Sequence, residues 1–138
     1  MAETFIGGFA GGFLEKGFHI GYGIYFTTAR VIGIDLGSQG GGALGGTLAG
    51  FIHGELMPRL SREDSDRTIA LLEGMKDFDI DRDQIRQIDL KRPGLGSGHM
   101  TITPISGGPI TIKLRHRTAF DRLVQLTQAF SPELVGSS

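Results

Sequence analysis

The residues whose types and spacing could do chemistry come first. Gly40-Gly41-Gly42-Ala43-Leu44-Gly45 fits G-x-G-x-x-G, the loop that lets a backbone approach a pyrophosphate at a helix N-terminus. That site needs a βαβ unit, whereas the strand expected before it belongs to a hairpin and no parallel crossover follows. Gly40 to Thr47 also imitates a phosphate-binding loop, with Gly46 standing where the lysine is required. Asp77, Asp79, Asp81 and Asp83 have the every-second-residue spacing of a calcium loop. Counting from Asp77, however, Arg82 and Ile88 fall where an EF-hand needs its glycine and its final glutamate. The four carboxylates read instead as the solvated side of a strand, where like charges discourage edge-to-edge sheet addition. His19, His53, His99 and His116 are too scattered to form a metal triad by spacing. No ordering of Ser, His and Asp and no pair of carboxylates marks a reaction centre. The expectation is a non-enzymatic protein with no cofactor and no metal.

Binding chemistry is better represented. Lys113, Arg115 and Arg117 alternate along one strand face into a helix entrance, and Lys91-Arg92 is expected nearby. Together they form the strongest anion-attracting patch, suited to phospholipid headgroups or an acidic peptide, against the plain alternative of a solvated strand face. The second candidate is a stripe of bare backbone. Gly42, Gly46, Gly50 and Gly54 recur every fourth residue, so on a helix they share a face, with Leu48 and Phe51 on others. Such a stripe lets a second helix or a flat surface approach closely. Residues 36–54 carry no formal charge with His53 neutral, but 8 of these 19 residues are Gly, which makes transfer into a bilayer poor. Self-association, packing on the parent domain and interfacial membrane contact are the readings left open.

Composition bounds these readings. The chain has 138 residues, 14 Lys+Arg against 15 Asp+Glu and no Cys, which excludes disulfides, thiolate metal sites and cysteine nucleophiles. Its length fits one domain over residues 1–138. Near-neutral charge speaks against nucleic acid, whose binders displace counterions with a cationic surface. Glycine and charge run in opposite senses: residues 1–54 hold 16 of the 23 Gly but only five charged side chains. The start of the chain lacks a basic region followed by a cleavage site, so the expected location is cytoplasmic, peripheral to a membrane if the glycine-rich stretch touches one.

The elements that must position these groups follow from periodicity. Phe5, Phe9 and Phe13 sit in a Phe-x-Gly-Gly tandem whose even spacing would place all three on one strand face. Gly21 to Thr27 and Arg30 to Asp35 read as a hairpin around Thr28-Ala29. Residues 76–82, 88–91, 99–105 and 109–115 alternate apolar with polar, the pattern of an antiparallel sheet with one face on a core. Ser65 to Gly74 reads as a short helix with a Gly stop. Thr118-Ala119-Phe120-Asp121 fits a capping box opening an amphipathic helix that ends at Ser131-Pro132. Seven strands and a terminal helix predict a mainly β fold, a sandwich or partly open barrel closed by that helix.

The stretch from Gly23 to Ile32, with its aromatic pair, Thr, short turn and Arg before two aliphatic residues, resembles the hairpin of pleckstrin-homology-like (PH-like) domains, including the GRAM and bacterial types. Phe78-Asp79-Ile80 through Ile85, and Ile88 to Gly94, are similar to their middle strands, and Phe120 to Phe130 to their C-terminal helix. The resemblance implies a seven-stranded antiparallel sandwich capped by that helix. It implies a scaffold without catalytic groups that holds lipids, peptides or sister subunits. The pattern departs at residues 37–75, which become a helical, glycine-rich insertion between the third and fourth strands. Phosphoinositide-binding members carry several Lys and Arg around the first hairpin loop; here Phe13 to Gly21 offers Lys16 beside Glu15. The expectation is an interaction module that forms homo-oligomers or meets a membrane surface or protein partner through its insertion. A ligand-binding role for the glycine-rich loop toward phosphate, and a purely structural oligomer, are the alternatives.

Overall fold

β-Branched and aromatic residues dominate the chain up to Asp35, and they form a meander. A computed structural model describes residues 3–17, 19–35, 53–56, 61–94, 96–114 and 117–137. Strand β1 (Phe5–Lys16) turns at Gly17, whose φ of 62° suits glycine, into β2 (His19–Thr27), and β3 (Arg30–Asp35) follows. After β4 (His53–Leu56) and helix α1 (Arg62–Met75), β5 (Phe78–Asp81) pairs with β3. A 3₁₀ turn at Arg82–Gln84 leads into β6 (Ile85–Lys91), β7 (Gly98–Pro104) and β8 (Ile110–Leu114). Helix α2 (Arg117–Phe130), a 3₁₀ turn and the three-residue β9 (Val135–Ser137) end the described chain.

The fold is mainly β, with a four-stranded antiparallel layer, β5-β3-β2-β1, and a three-stranded one, β8-β7-β6. They join where Leu14 and Glu15 of β1 pair with Leu114 and Lys113 of β8. No ladder joins β5 to β6 among the described residues, so the barrel is not closed. The seven expected strands are all present. The two unforeseen ones sit at edges: β4 lies antiparallel on the first half of β1, and β9 lies parallel on β6.

Two hydrophobic clusters flank the first layer. Between the layers, Tyr22, Ile24, Phe26 and Val31 meet Ile88, Leu90, Met100, Ile102, Ile112 and Leu114, and α2 adds Phe120, Leu123, Leu126 and Phe130. The rings of Phe26 and Phe130 lie 5.4 Å apart. On the other side Phe5, Tyr25, Ile32 and Ile34 are covered by Leu72 of α1. Strands β2 and β3 are therefore apolar on both faces, which explains why their sequences run hydrophobic without strict alternation. Tyr25 lies flat on bare backbone: a Cβ built on Gly8 would meet its ring at 2.2 Å, and one on Gly23 at 2.7 Å.

Several expectations need correction. Phe5 pairs with Thr27 and Phe9 with Ile24, because a register shift intervenes between Phe5 and Gly7. Phe5 lies on the face of Tyr25, and the side chains of Phe9 and Phe13, on which the one-face reading of the Phe tandem also rests, lie outside the described residues. Region 37–75 is not a purely helical insertion, since β4 belongs to the sheet and α1 supplies Leu72 to a core. Helix α1 starts three residues earlier than the Ser65 reading: Ser61 is its N-cap, accepting from the Asp64 N–H at 3.0 Å, ahead of an acidic first turn. Ser65 is buried instead and accepts from the Phe5 N–H at 2.9 Å. Gly74 lies inside α1, and extended Lys76 ends it. Thr118 lies within the first turn of α2 rather than before it, because that helix begins at Arg117.

Candidate functional site

The expected anion patch maps onto the outer face of the three-stranded layer. There the buried residues of β6, β7 and β8 alternate with an outward set. Register places Lys91 opposite His99, His99 opposite Lys113, and Lys113 opposite Glu15 of β1. One row over, Asp89 faces Thr101 and Thr101 faces Thr111, whose hydroxyl lies 3.4 Å from that of Thr101. Asp89 also accepts from the Gln87 amide at 2.6 Å. Arg92 leaves the row: its guanidinium stacks 4.8 Å from the Phe120 ring centroid and reaches Asp121 at 3.6 Å. Arg117 is exposed at the start of α2, and Arg115 lies outside the described residues. The structure thus unites Lys91 and Lys113, diverts Arg92 and inserts His99. Only the strand register around the 93–97 turn could have placed that histidine between two lysines.

The glycine-rich stretch leaves and re-enters the first layer. Asp35 stands opposite Tyr22, and Tyr22 opposite Gly11; His53 stands opposite Phe9. The two ends of the connection are therefore three strand spacings apart, about 14 Å, and one pleat apart along the strands. Gly42, Gly46, Gly50, Leu48 and Phe51 lie outside the described residues. Gly54 is in β4, so a helical stripe does not extend to it.

Beside this end lies a polar cluster that the sequence did not signal. The Tyr22 hydroxyl donates to Asp77, and the Lys16 ammonium reaches the same carboxylate at 3.1 Å. That ammonium is 5.7 Å from the Tyr22 ring centroid and 5.8 Å from that of Phe78, and the two rings stack at 6.3 Å. Burial, then the bond to Asp77, pushes the Tyr22 phenol far above its usual range, so it stays protonated as a donor.

At the opposite end Arg30 gathers three carboxylates: Glu3 at 2.9 Å, and Glu73 and Asp79 at 2.6 Å each. Lys76 also bridges Glu73 and Asp79, at 2.6 and 3.3 Å. Burial alone would lower the Arg30 pKa, but these bonds outweigh it and raise it. This network ties the chain start, α1 and β5 to β3, and it accounts for Asp79 within the aspartate run. No group of residues suited to a metal ion occurs among the described residues. Two open clefts flank the β5–β6 corner. One of about 670 Å³ is lined by Ala29, Asp81, Arg82, Ile85, Ser131 and Glu133 among others, and one of about 470 Å³ by Ile80, Gln84, Pro104 and Ile110 among others. Neither gathers the anion patch. No described helix is long and apolar enough to cross a membrane.

No protein-family model, no curated protein and no solved structure matches the chain.

Proposed function

We propose that the protein is a non-enzymatic, PH-like interaction module that associates with copies of itself through the glycine-rich connection between β3 and β4. With β4 and β9 set aside, the strand order becomes fourth-third-second-first-seventh-sixth-fifth, with a C-terminal helix packed between the layers, and this supports the PH-like reading. The buried hydroxyls of Thr68, Thr127 and Ser131 are committed to holding the fold. Thr68 and Thr127 donate to carbonyls one turn back, and Ser131 donates to Glu133 at 2.6 Å.

One observation carries the proposal. Residues 36–52, 17 residues without a charged side chain and seven of them glycine, join Asp35 and His53, which are both hydrogen-bonded into one layer. A rigid scaffold thus presents an uncharged, glycine-rich segment from a fixed pair of points. Replacing residues 38–50 with about eight Gly/Ser residues, enough to span the gap between the strands, tests it. Light scattering across a concentration series is expected to show oligomers for the native chain and monomers for the replacement, with equal thermal stability. A native chain that stays monomeric, or a replacement that assembles equally, overturns the proposal. Flotation with neutral phosphatidylcholine vesicles runs alongside; binding by the monomeric native chain, lost in the replacement, transfers the role to a membrane surface.

A further inference from the structure

The aspartate run around β5 divides into two pairs. Asp77 and Asp79 are used within the fold, the first by Tyr22 and Lys16, the second by Arg30 and Lys76. Asp81 and Asp83 are exposed and join no ion pair among the described residues. The arginine between them is engaged elsewhere: Arg82 reaches Glu133 at 3.6 Å and lies 6.0 Å from the Phe130 ring centroid. Asp81 lines both clefts at the β5–β6 corner, and Asp83 lines the larger. The uncommitted cations lie on another surface. On the outer face of the three-stranded layer Lys91 and Lys113 stand on either side of His99, exposed and without an ion pair among the described residues. Glu15 follows Lys113 in that row, and Asp89, one row away, accepts from Gln87. A chain of net charge −1 thus keeps uncommitted charges of each sign on different surfaces.

We propose that copies of this chain face one another head to tail, with Lys91 and Lys113 of one copy entering the clefts of the next and meeting its Asp81 and Asp83. The two lysines stand two strand spacings apart, about 10 Å, and the two clefts share Asp81. A lysine suits an open acidic cleft because it ends a flexible stem in a compact charge. Like-charged surfaces are disfavoured as partners, so the arrangements that set lysines against lysines or aspartates against aspartates are selected against. Because the two surfaces differ, the contact is heterologous: each added copy leaves one surface of each sign for the next, and assembly extends beyond a dimer. Exposed ion pairs are individually weak, so this inference rests on the association proposed for residues 36–52. That segment holds the copies together, and the charged surfaces set how they are arranged.

Sedimentation velocity of the full chain across a concentration series, in about 50 mM sodium chloride, tests the arrangement. K91E/K113E and D81K/D83K are each expected to assemble about thirtyfold more weakly than the native chain, since two attractive contacts become repulsive. An equimolar mixture of the two variants is expected to recover native affinity, because each supplies the sign that the other lacks. All four side chains are exposed, so each variant is expected to unfold near the native temperature. Raising sodium chloride to about 500 mM is expected to weaken assembly of the native chain without any substitution. Variants that assemble as tightly as a self-associating native chain, a mixture that recovers nothing, or insensitivity to salt overturns the head-to-tail contact and leaves the role of residues 36–52 standing. A native chain that stays monomeric overturns both.

Discussion

Gly8→Ala is the most direct test of how the first layer is built. A Cβ at this position would lie 2.2 Å from Tyr25 Cδ1, 2.8 Å from Cε1 and 2.9 Å from Cγ, so the whole near edge of the ring is in the way. The ring has nowhere to go: Tyr25 is fully buried in the cluster with Phe5, Ile32 and Ile34 beneath Leu72. Overpacking of this kind costs about 1–3 kcal/mol, and a shortfall of more than an ångström points to the upper part of that range. Alanine in place of glycine in a strand returns about 0.5–1 kcal/mol. The net expectation is a loss of about 2 kcal/mol, a fall in Tm on the order of 5–10 °C for a domain of this size. Urea unfolding followed by circular dichroism reads it, since the chain has no Trp. Tyr25→Leu, costly by itself, supplies the second corner of a double-mutant cycle. In that background Gly8→Ala is expected to cost less than about 0.5 kcal/mol, because the pair is coupled through contact. A neutral Gly8→Ala, or an equal cost in both backgrounds, would refute the packing argument.

Three further outcomes follow from the same geometry. The buried Tyr25 hydroxyl has no hydrogen-bond partner among the described residues, so Tyr25→Phe is expected to raise stability by about 1 kcal/mol in urea unfolding; a loss would show that the hydroxyl is satisfied. Leu72→Ala, which opens the contact between α1 and the first layer, is expected to cost about 2–4 kcal/mol, read as a lower midpoint in the same assay. Acid unfolding reports the Arg30 network. Lys76 and Arg30 hold the Glu73 carboxyl below its ordinary value of 4.5; for Asp79 burial pushes upward, but bonds from Arg30 and Lys76 prevail and hold it below 3.8. Depressed carboxylates contribute stability that is present above their unfolded pKa and lost as pH falls through the folded one. Stability is therefore expected to decline from about pH 5 downward, and Arg30→Gln should flatten that decline while lowering stability at pH 7.

The seven main strands and the final helix were legible because their signals are local. Phe78/Ile80, Met100/Ile102 and Ile110/Ile112/Leu114 each alternate over a few residues, and Phe120 to Phe130 keeps helical spacing. What the sequence hid depends on pairing. The register shift after Phe5 leaves no mark in composition, and the place of that side chain beside Tyr25 is a tertiary fact. Ser61 was a readable cap, followed by Glu63 and Asp64, but Ser65 offered an equally plausible start and its burial against Phe5 is a tertiary fact. Within the candidate site, Lys91 and Lys113 could be proposed as neighbours from alternation alone. His99 could not, because its place between them is set by how β6 and β7 align across the turn at residues 93–97.

The placement of α1 bears on where this domain can meet anything else. A sandwich ordinarily leaves the outer face of each layer in water, and outward residues there are polar. Here the outer face of the first layer carries Phe5, Tyr25, Ile32 and Ile34, all buried, with α1 set over them by Leu72 and by the buried Ser65 bond to Phe5. That face is spent on folding. Among the described residues the outer face of β6, β7 and β8 has no such cover: Lys91, Thr111 and Lys113 are exposed along it. Strand β1 runs from this face into the first layer. Glu15 joins the row of Lys113, and Gly11, four residues earlier on the same strand, joins the row of Asp35 from which the connection departs.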